Sequence, residues 1–389
     1  MNARRFRNIF VGLIIVAAFF PLAAKTEMLP AGNQSATFRA KVIEIVREEK
    51  KVDEKGKEMT RQTVRLRGLD GEWKDREIVY DGIALGVDFV ELIPSKAGDN
   101  VWMRRDVDAE NNEIFFITDY VRTGKLYFLA ILFAFLVVLT GRWHGFKALV
   151  GLAITFVVLM KFIIPGIVAG YNPLGISILG SLVILAITLY LVHGVKSKTN
   201  VALVATLITL LITGILSMAF TYLTRLTGFA DEEASYLVTM GQNILNIKGI
   251  LLAGMVIGAL GVLDDITVSQ ASVVEEIYRA NPGLGRLEVY KRAMRVGIDH
   301  VSSIVNTLVL AYAGASLPLL LLFDINRATA GSVGSVINNE AIATEIVRTL
   351  VGSIGLVVAV PLTSLIAVYW LKNRVTKASN EDVNHFHCH

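Results

Sequence analysis

GALGVLDDITVSQASVVEEIYR, residues 258–279, carries two adjacent acids, Asp264 and Asp265, where an apolar run over residues 250–263 ends. Written as a helix, Asp265, Ser269, Ser272 and Glu276 recur at intervals of four, three and four, which lines them along one face. A strip of carboxylates and hydroxyls that continues a membrane helix is costly against lipid. It is therefore expected to face protein, water or a ligand.

Working outward, the same apolar texture returns in blocks. They fall at residues 126–140, 148–167, 174–192, 201–223, 250–263, 304–323 and 346–371. Most are close to the roughly 20 residues that a helix needs to cross about 30 Å of hydrocarbon. With 53% hydrophobic residues and a mean hydropathy of +0.56, the 389-residue chain is expected to be an integral membrane protein. Charge gathers between the blocks, so the net charge of +4 is not a nucleic-acid signal. Cys388 is the sole cysteine, which excludes an intrachain disulfide.

Before the blocks, Arg4, Arg5 and Arg7 precede an apolar run at residues 9–24. We read that run as an uncleaved anchor, because Leu22-Ala23-Ala24 matches a cleavage site poorly. A signal-peptide core is the other reading. Residues 25–122 have a soluble composition. Strands are expected at 37–46, 62–67, 77–80, 101–104 and 114–119, with turn chemistry such as Asp70-Gly71 and Asp81-Gly82 between them. Five short strands suit a small barrel of OB type or a compact sandwich. The fold class is thus mainly α: a polytopic helical bundle of about eight spans with the anchor, plus a small β-rich domain. The domains expected are residues 1–24, 25–122, 123–371 and a tail at 372–389, disordered from residue 377.

Orientation follows from the basic residues of the short connections. The N-terminus, Arg142 with Lys147, Lys196 with Lys198, the segment from Arg279 to Arg295, and Lys372, Arg374 and Lys377 all fall on one side when eight spans are counted. Both termini are therefore expected in the cytoplasm, with residues 25–122 on the extracytoplasmic side.

The candidate residues form several sets. Asp264, Asp265, Ser269, Ser272 and Glu276 line an ion or substrate path, or else Asp264, Asp265, Glu275 and Glu276 sit at the cytoplasmic surface, paired with Lys291, Arg292 or Arg295. Asp299, Ser303 and Asn306 share a face of the next span, beyond a loop at residues 281–295, and that face is expected to meet the first stripe. Glu345 and Arg348 pair at i, i+3 near the opposite mouth. Gly254 and Gly258, with Gly261 a turn further, suit close helix packing. His385, His387, Cys388 and His389 have the donors for a transition metal, and the acids those for a divalent cation, but the sequence identifies no cofactor. Walker, HExxH, GxSxG and CxxC signatures are missing from the chain. That argues against an enzyme and against an ATPase of its own. The partners expected are the bilayer, a second copy or another membrane protein, and a ligand of the β domain.

Three stretches carry a family resemblance: GALGVLDDITVSQASVVEEI from Gly258, NTLVLAYAGASLPLLLLF from Asn306, and NNEAIATEIVRTLVGSIGLVVAVPLTSLIA from Asn338. Over residues 127–369 the chain resembles the YibE/F-like family of bacterial multi-pass membrane proteins. The family's pattern has one acid where this chain has two, and the matching position is Asp265. The resemblance implies the architecture, an anchor and a small β domain ahead of the membrane block, and not a substrate. A transporter or permease component is the function expected. A non-transporting assembly or sensing protein, whose β domain binds a partner, is the alternative.

Overall fold

A computed structural model of the chain describes residues 37–52, 58–83, 94–107, 113–230, 232–239, 246–325 and 333–386. The expected anchor, and His387, Cys388 and His389, lie outside them. The chain divides into two compact units at Leu139 and Thr140.

In the first unit, β1 (Thr37–Val52), β2 (Glu58–Gly68), β3 (Glu77–Asp81), β4 (Asn100–Val107) and β5 (Glu113–Tyr120) form one sheet in the order β3-β2-β1-β4-β5. All neighbouring pairs are antiparallel. Alternation puts Phe38, Ala40, Val42, Val64, Leu66, Ile78, Tyr80, Val101 and Met103 into one buried cluster. Trp73, between β2 and β3, stacks on Phe38 with ring centroids 5.4 Å apart and meets Phe115 edge-on at 5.0 Å. Burial, with Asp81 nearby, pushes the Tyr80 phenol up to about 12. β1 shifts register between Val42 and Glu44 and again between Ile45 and Arg47. Such bulges bend and twist a strand. The five expected strands are all present, in a sheet whose order ends at β3 and β5.

Helices follow. α1 (Thr123–Val158) continues through a π-helical turn (Leu159–Ile163) into α2 (Ile164–Val168). Then come α3 (Pro173–His193), α4 (Ser197–Leu223), α5 (Glu232–Thr239), α6 (Ile247–Ala280), α7 (Arg286–Ala315), α8 (Leu317–Ile325), α9 (Val333–Ile337) and α10 (Glu340–Phe386). Six helical stretches among the described residues are long and apolar enough to cross a membrane. Seven were expected after the anchor. The difference lies in α1, which counts as one stretch but consists of two helices, carrying the blocks at 126–140 and 148–167, that meet at a kink where Arg142 leaves helical geometry at φ 46° and ψ −125°.

Two other expectations are corrected. Residues 281–295 are not one loop: the loop ends at Gly285 and α7 takes in the basic segment, because Val289, Ala293 and Gly297 recur every four residues and bury one face. Pro318 then lies in the first turn of α8, separated from α7 by Ser316. The tail is not unstructured from residue 377 either, since α10 runs on to Phe386.

Local chemistry sets the helix starts. The Asn172 side chain accepts from the Gly175 amide at 3.1 Å with Pro173 at N1, and Asn246 accepts from the Gly249 amide at 2.9 Å. Helices α6 and α10 are buried along 56% of their most apolar stretch and α7 along only 6%, so α6 and α10 occupy the centre and α7 the periphery. Val256, Leu260, Leu263 and Ile266 of α6 pack with Leu185 and Leu189 of α3, Leu210 of α4, and Leu356 and Val360 of α10. Glycines admit the closest approaches. A methyl at Gly297 of α7 would run into Val360 and Gln270, and one at Gly355 of α10 into Thr213 of α4.

The ends of this bundle can be assigned. Gly249 packs on Pro173 and Gly228 on Ile247, while Glu340 Oε1 accepts from the Thr227 amide at 2.6 Å and the Gly228 amide at 3.1 Å. The N-termini of α3, α6 and α10 therefore lie at the same end as the C-terminus of α4. At the opposite end Lys198 Nζ is 3.1 Å from Glu275, and the Tyr278 hydroxyl donates to the Val368 carbonyl at 3.2 Å.

Candidate functional site

Asp264 lies near the middle of the 34-residue α6. Its Oδ1 is shut off from solvent and accepts no hydrogen bond. Asp265, one residue on and so rotated by about 100°, is exposed. The two acids thus occupy different surroundings, and the deeper one is Asp264. On the buried side of the same turn, the Thr267 hydroxyl donates to the Asp264 carbonyl at 3.1 Å and lies 2.6 Å from the Thr206 hydroxyl of α4.

The rest of the expected stripe runs outward from the bundle. Ser269 and Ser272 are half-buried, and Glu276 is exposed and paired with Arg279 at 3.0 Å. The acid that ties helices together is its neighbour Glu275, 12% exposed, which holds Lys198 of α4 at 3.1 Å and Arg279 at 3.2 Å. Arg292 pairs with Glu288 of its own helix instead of with an α6 acid.

The polar face of α7 does not meet that stripe. Asp299, Ser303 and Asn306 are exposed, and among the described residues no hydrogen bond or ion pair joins them to α6. What joins the two helices is Gln270, 1% exposed, whose amide donates to the Ala293 carbonyl of α7 at 2.9 Å and to the Ser364 hydroxyl of α10 at 2.7 Å. One side chain on the buried face does what two polar stripes were expected to do. Steric fit explains it: Gly297 lets the α7 backbone approach the buried face of α6, and this turns Asp299 away.

Glu345 and Arg348 of α10 form the expected pair at 2.6 Å and are both half-buried. The glycine stripe is corrected. Gly254, Gly258 and Gly261 lie on the exposed side of α6, and side chains added at Gly254 or Gly261 would meet nothing within 4 Å; only Gly258 has a neighbour, the Tyr312 hydroxyl. Helix packing uses the opposite face, that of Val256, Leu260 and Leu263. His385 falls near the end of α10, and among the described residues no three His, Cys, Asp or Glu side chains gather as a metal site.

Sequence reading passed over three features: Gln270, the Glu275–Lys198 tie, and a row of hydroxyls on α4. The row carried a signal. Thr206, Thr209, Thr213, Ser217 and Thr221 recur at helical intervals inside an apolar block.

A family model described as YibE/F-like protein matches residues 129–373, well over half of the chain. The chain belongs to the YibE/F-like family. The matched region runs from within α1 into α10, so it holds every helix of the bundle together with Asp264, Gln270 and the α4 hydroxyls. Neither the curated proteins nor the solved structures contain a match to this YibE/F-like chain.

Proposed function

We propose that this YibE/F-like protein is a transporter- or permease-like component that moves a small solute or ion, without an ATPase of its own and without enzymatic chemistry. One observation carries the reading: Asp264 places a carboxylate oxygen, unbonded and closed to solvent, midway along a membrane-length helix. An acid kept at membrane depth is expensive and is retained where ions or protons pass. Asp265, exposed and next to Asp264 on the helix, lies at the approach in this reading, with Glu345 and Arg348 at the far end. Seating in a bacterial inner membrane with both termini cytoplasmic and the β-rich unit, barrel-like in our reading, outside is supported by the clustering of basic residues between the spans.

The test is flux. Purified full-length protein in liposomes is given proton, sodium, potassium and magnesium gradients in turn. Replacing Asp264 by Asn is expected to reduce the carried flux at least about tenfold, the effect of removing an essential ionisable group, with an unchanged size-exclusion profile. Undiminished flux through Asp264→Asn sinks the proposal. A second reading, a scaffold whose β unit binds an envelope partner, draws support from the Gln270 and Glu275 clamps. It expects no flux in the wild type, and loss of function when the sheet is deleted.

A further inference from the structure

The inner face of α4 carries hydroxyls from end to end. Thr199, Thr206, Thr209, Thr213, Ser217 and Thr221 are each no more than 2% exposed. The row rises about 33 Å at 1.5 Å per residue, close to the roughly 30 Å of a hydrocarbon core. In its middle the hydroxyls serve their own helix: Thr206, Thr209 and Thr213 donate to the carbonyls four residues earlier at 2.8, 2.8 and 2.9 Å.

At the Lys198 end the Thr199 hydroxyl has no protein partner, and toward the opposite end that explanation stops for a larger group. Ser217 and Thr221 of α4, Ser177 and Ser181 of α3, and Thr344 and Ser353 of α10 are buried, and their hydroxyls have no protein partner. All six lie toward the bundle end marked by Pro173, Gly228 and Glu340. A buried hydroxyl left unbonded forfeits its bonds to water without replacing them, which destabilises the fold. Six in one half of the bundle, spread over three helices, are too many for a fold that could have used alanine and valine. Buried polar groups of this kind are bonded by internal water.

We propose that this layer is a water-filled half-channel, entered from the Glu340 end and closing at the Thr206–Thr267 contact beside Asp264. Gly355, which has no side chain, lets the α10 backbone pack closely on Thr213, so the layer is narrowest there and continues below it only through hydroxyls bonded to their own helix. At the closed end the two hydroxyls are 2.6 Å apart, and each has a carbonyl in range, that of Ala202 at 2.8 Å for Thr206 and that of Asp264 at 3.1 Å for Thr267. Each hydroxyl owns one proton, so the pair can be arranged in either direction, as a proton relay requires. A row of neutral hydroxyls does not supply the six to eight oxygens that a calcium-like cation wants. Water and protons are what it suits. Only the destination, Asp264, rests on the transport reading; the half-channel itself rests on the buried hydroxyls.

The experiment is brief hydroxyl-radical labelling of the full-length protein in lipid nanodiscs, where radicals made from bound water oxidise the side chains beside it. Met255, 3% exposed, packs with Leu226, Leu251, Val347 and Val351 in the same half of the bundle as the unbonded hydroxyls, whereas Met218 is 50% exposed on the outer side of α4. Met255 is expected to oxidise to sulfoxide roughly fivefold faster than Met218, against their order of exposure. Joint replacement of Ser217 by Ala and Thr221 by Val is expected to erase that excess. A Met255 no faster than Met218 overturns the half-channel, and so does an excess that survives the double replacement. The wild-type comparison needs no variant, so misfolding of the double variant does not rescue the idea. Proton flux of the same protein in liposomes separates the two claims. Fast Met255 without flux removes transport and keeps the half-channel; flux with protected Met255 does the reverse.

Discussion

Gln270 shows how much a single amide can specify. Its two N–H donors go to two different helices, the Ala293 carbonyl of α7 and the Ser364 hydroxyl of α10. Van der Waals packing in lipid gives apolar helices little preference for one neighbour over another, so a buried amide with fixed acceptors helps to set register. Gln270→Ala leaves the Ala293 carbonyl without this donor and opens a gap. A cost of roughly 1–3 kcal/mol follows, visible as a thermal midpoint lowered by several degrees in detergent. Asp265→Asn, on the exposed side of the same helix, is expected to stay within about 0.5 kcal/mol of the wild type, as surface changes usually do. Equal midpoints for the two variants would remove the clamp from the account.

At the scale of elements, what was legible followed period. The strands announced themselves because Val64 and Leu66 alternate with Arg61, Arg65 and Arg67, and the buried face of the sheet is the apolar half of that alternation. The long apolar blocks were equally plain. Less legible was the start of α7, since a basic amphipathic turn resembles a loop until Val289, Ala293 and Gly297 are seen to share a face. The α4 hydroxyls were hidden by their chemistry: threonine is small and tolerated among apolar residues, so no charge drew attention to the row. Gln270 had no period at all. Its role depends on which residues two other helices bring to it, and only tertiary structure supplies that. The β unit yields a prediction of its own. Arg39 bonds the Asp70 carboxylate through Nε at 2.6 Å and Nη2 at 2.8 Å, tying β1 to the turn after β2, and these bonds hold Asp70 below the usual carboxylate range. A carboxyl whose value is depressed by folding adds stability that is present above its unfolded value, about 3.9, and is lost as pH falls through the lower folded value. The Leu69 amide, which donates to the Arg39 carbonyl at 2.8 Å, reports on this turn. Its hydrogen-exchange protection is expected to fall on acidification in the wild type and to be lower and flat in Asp70→Asn, the two converging at the acid end. Parallel profiles would mean that the pair does not hold the turn.

For the whole molecule, the helical unit is electrically lopsided along its length. Lys196, Lys198, Arg279, Arg286, Lys291, Arg292 and Lys372 gather toward the end where Lys198 meets Glu275, and Arg286 there lies 4.7 Å over the Tyr369 ring. The Glu340 end has fewer, among them Arg225 and Lys248. Positive charge is retained on the cytoplasmic side during insertion, so the Lys198 end is expected inside and the mouth of the hydroxyl row outside. The chain provides its own reporter, because Cys388 is its only cysteine and follows the helix that leaves from the Lys198 end. A membrane-impermeant maleimide added to intact cells expressing the full chain is expected to leave Cys388 unmodified, and to modify it once the membrane is opened. In a Cys388→Ser background, Glu72→Cys, at an exposed turn of the β unit, is expected to react in intact cells. Reaction of Cys388 from outside would invert the bundle, put the α4 hydroxyls on the cytoplasmic side and reverse the direction from which Asp264 is reached. Failure of both cysteines to react in intact cells would instead place the sheet with the basic loops, which eight spans cannot accommodate.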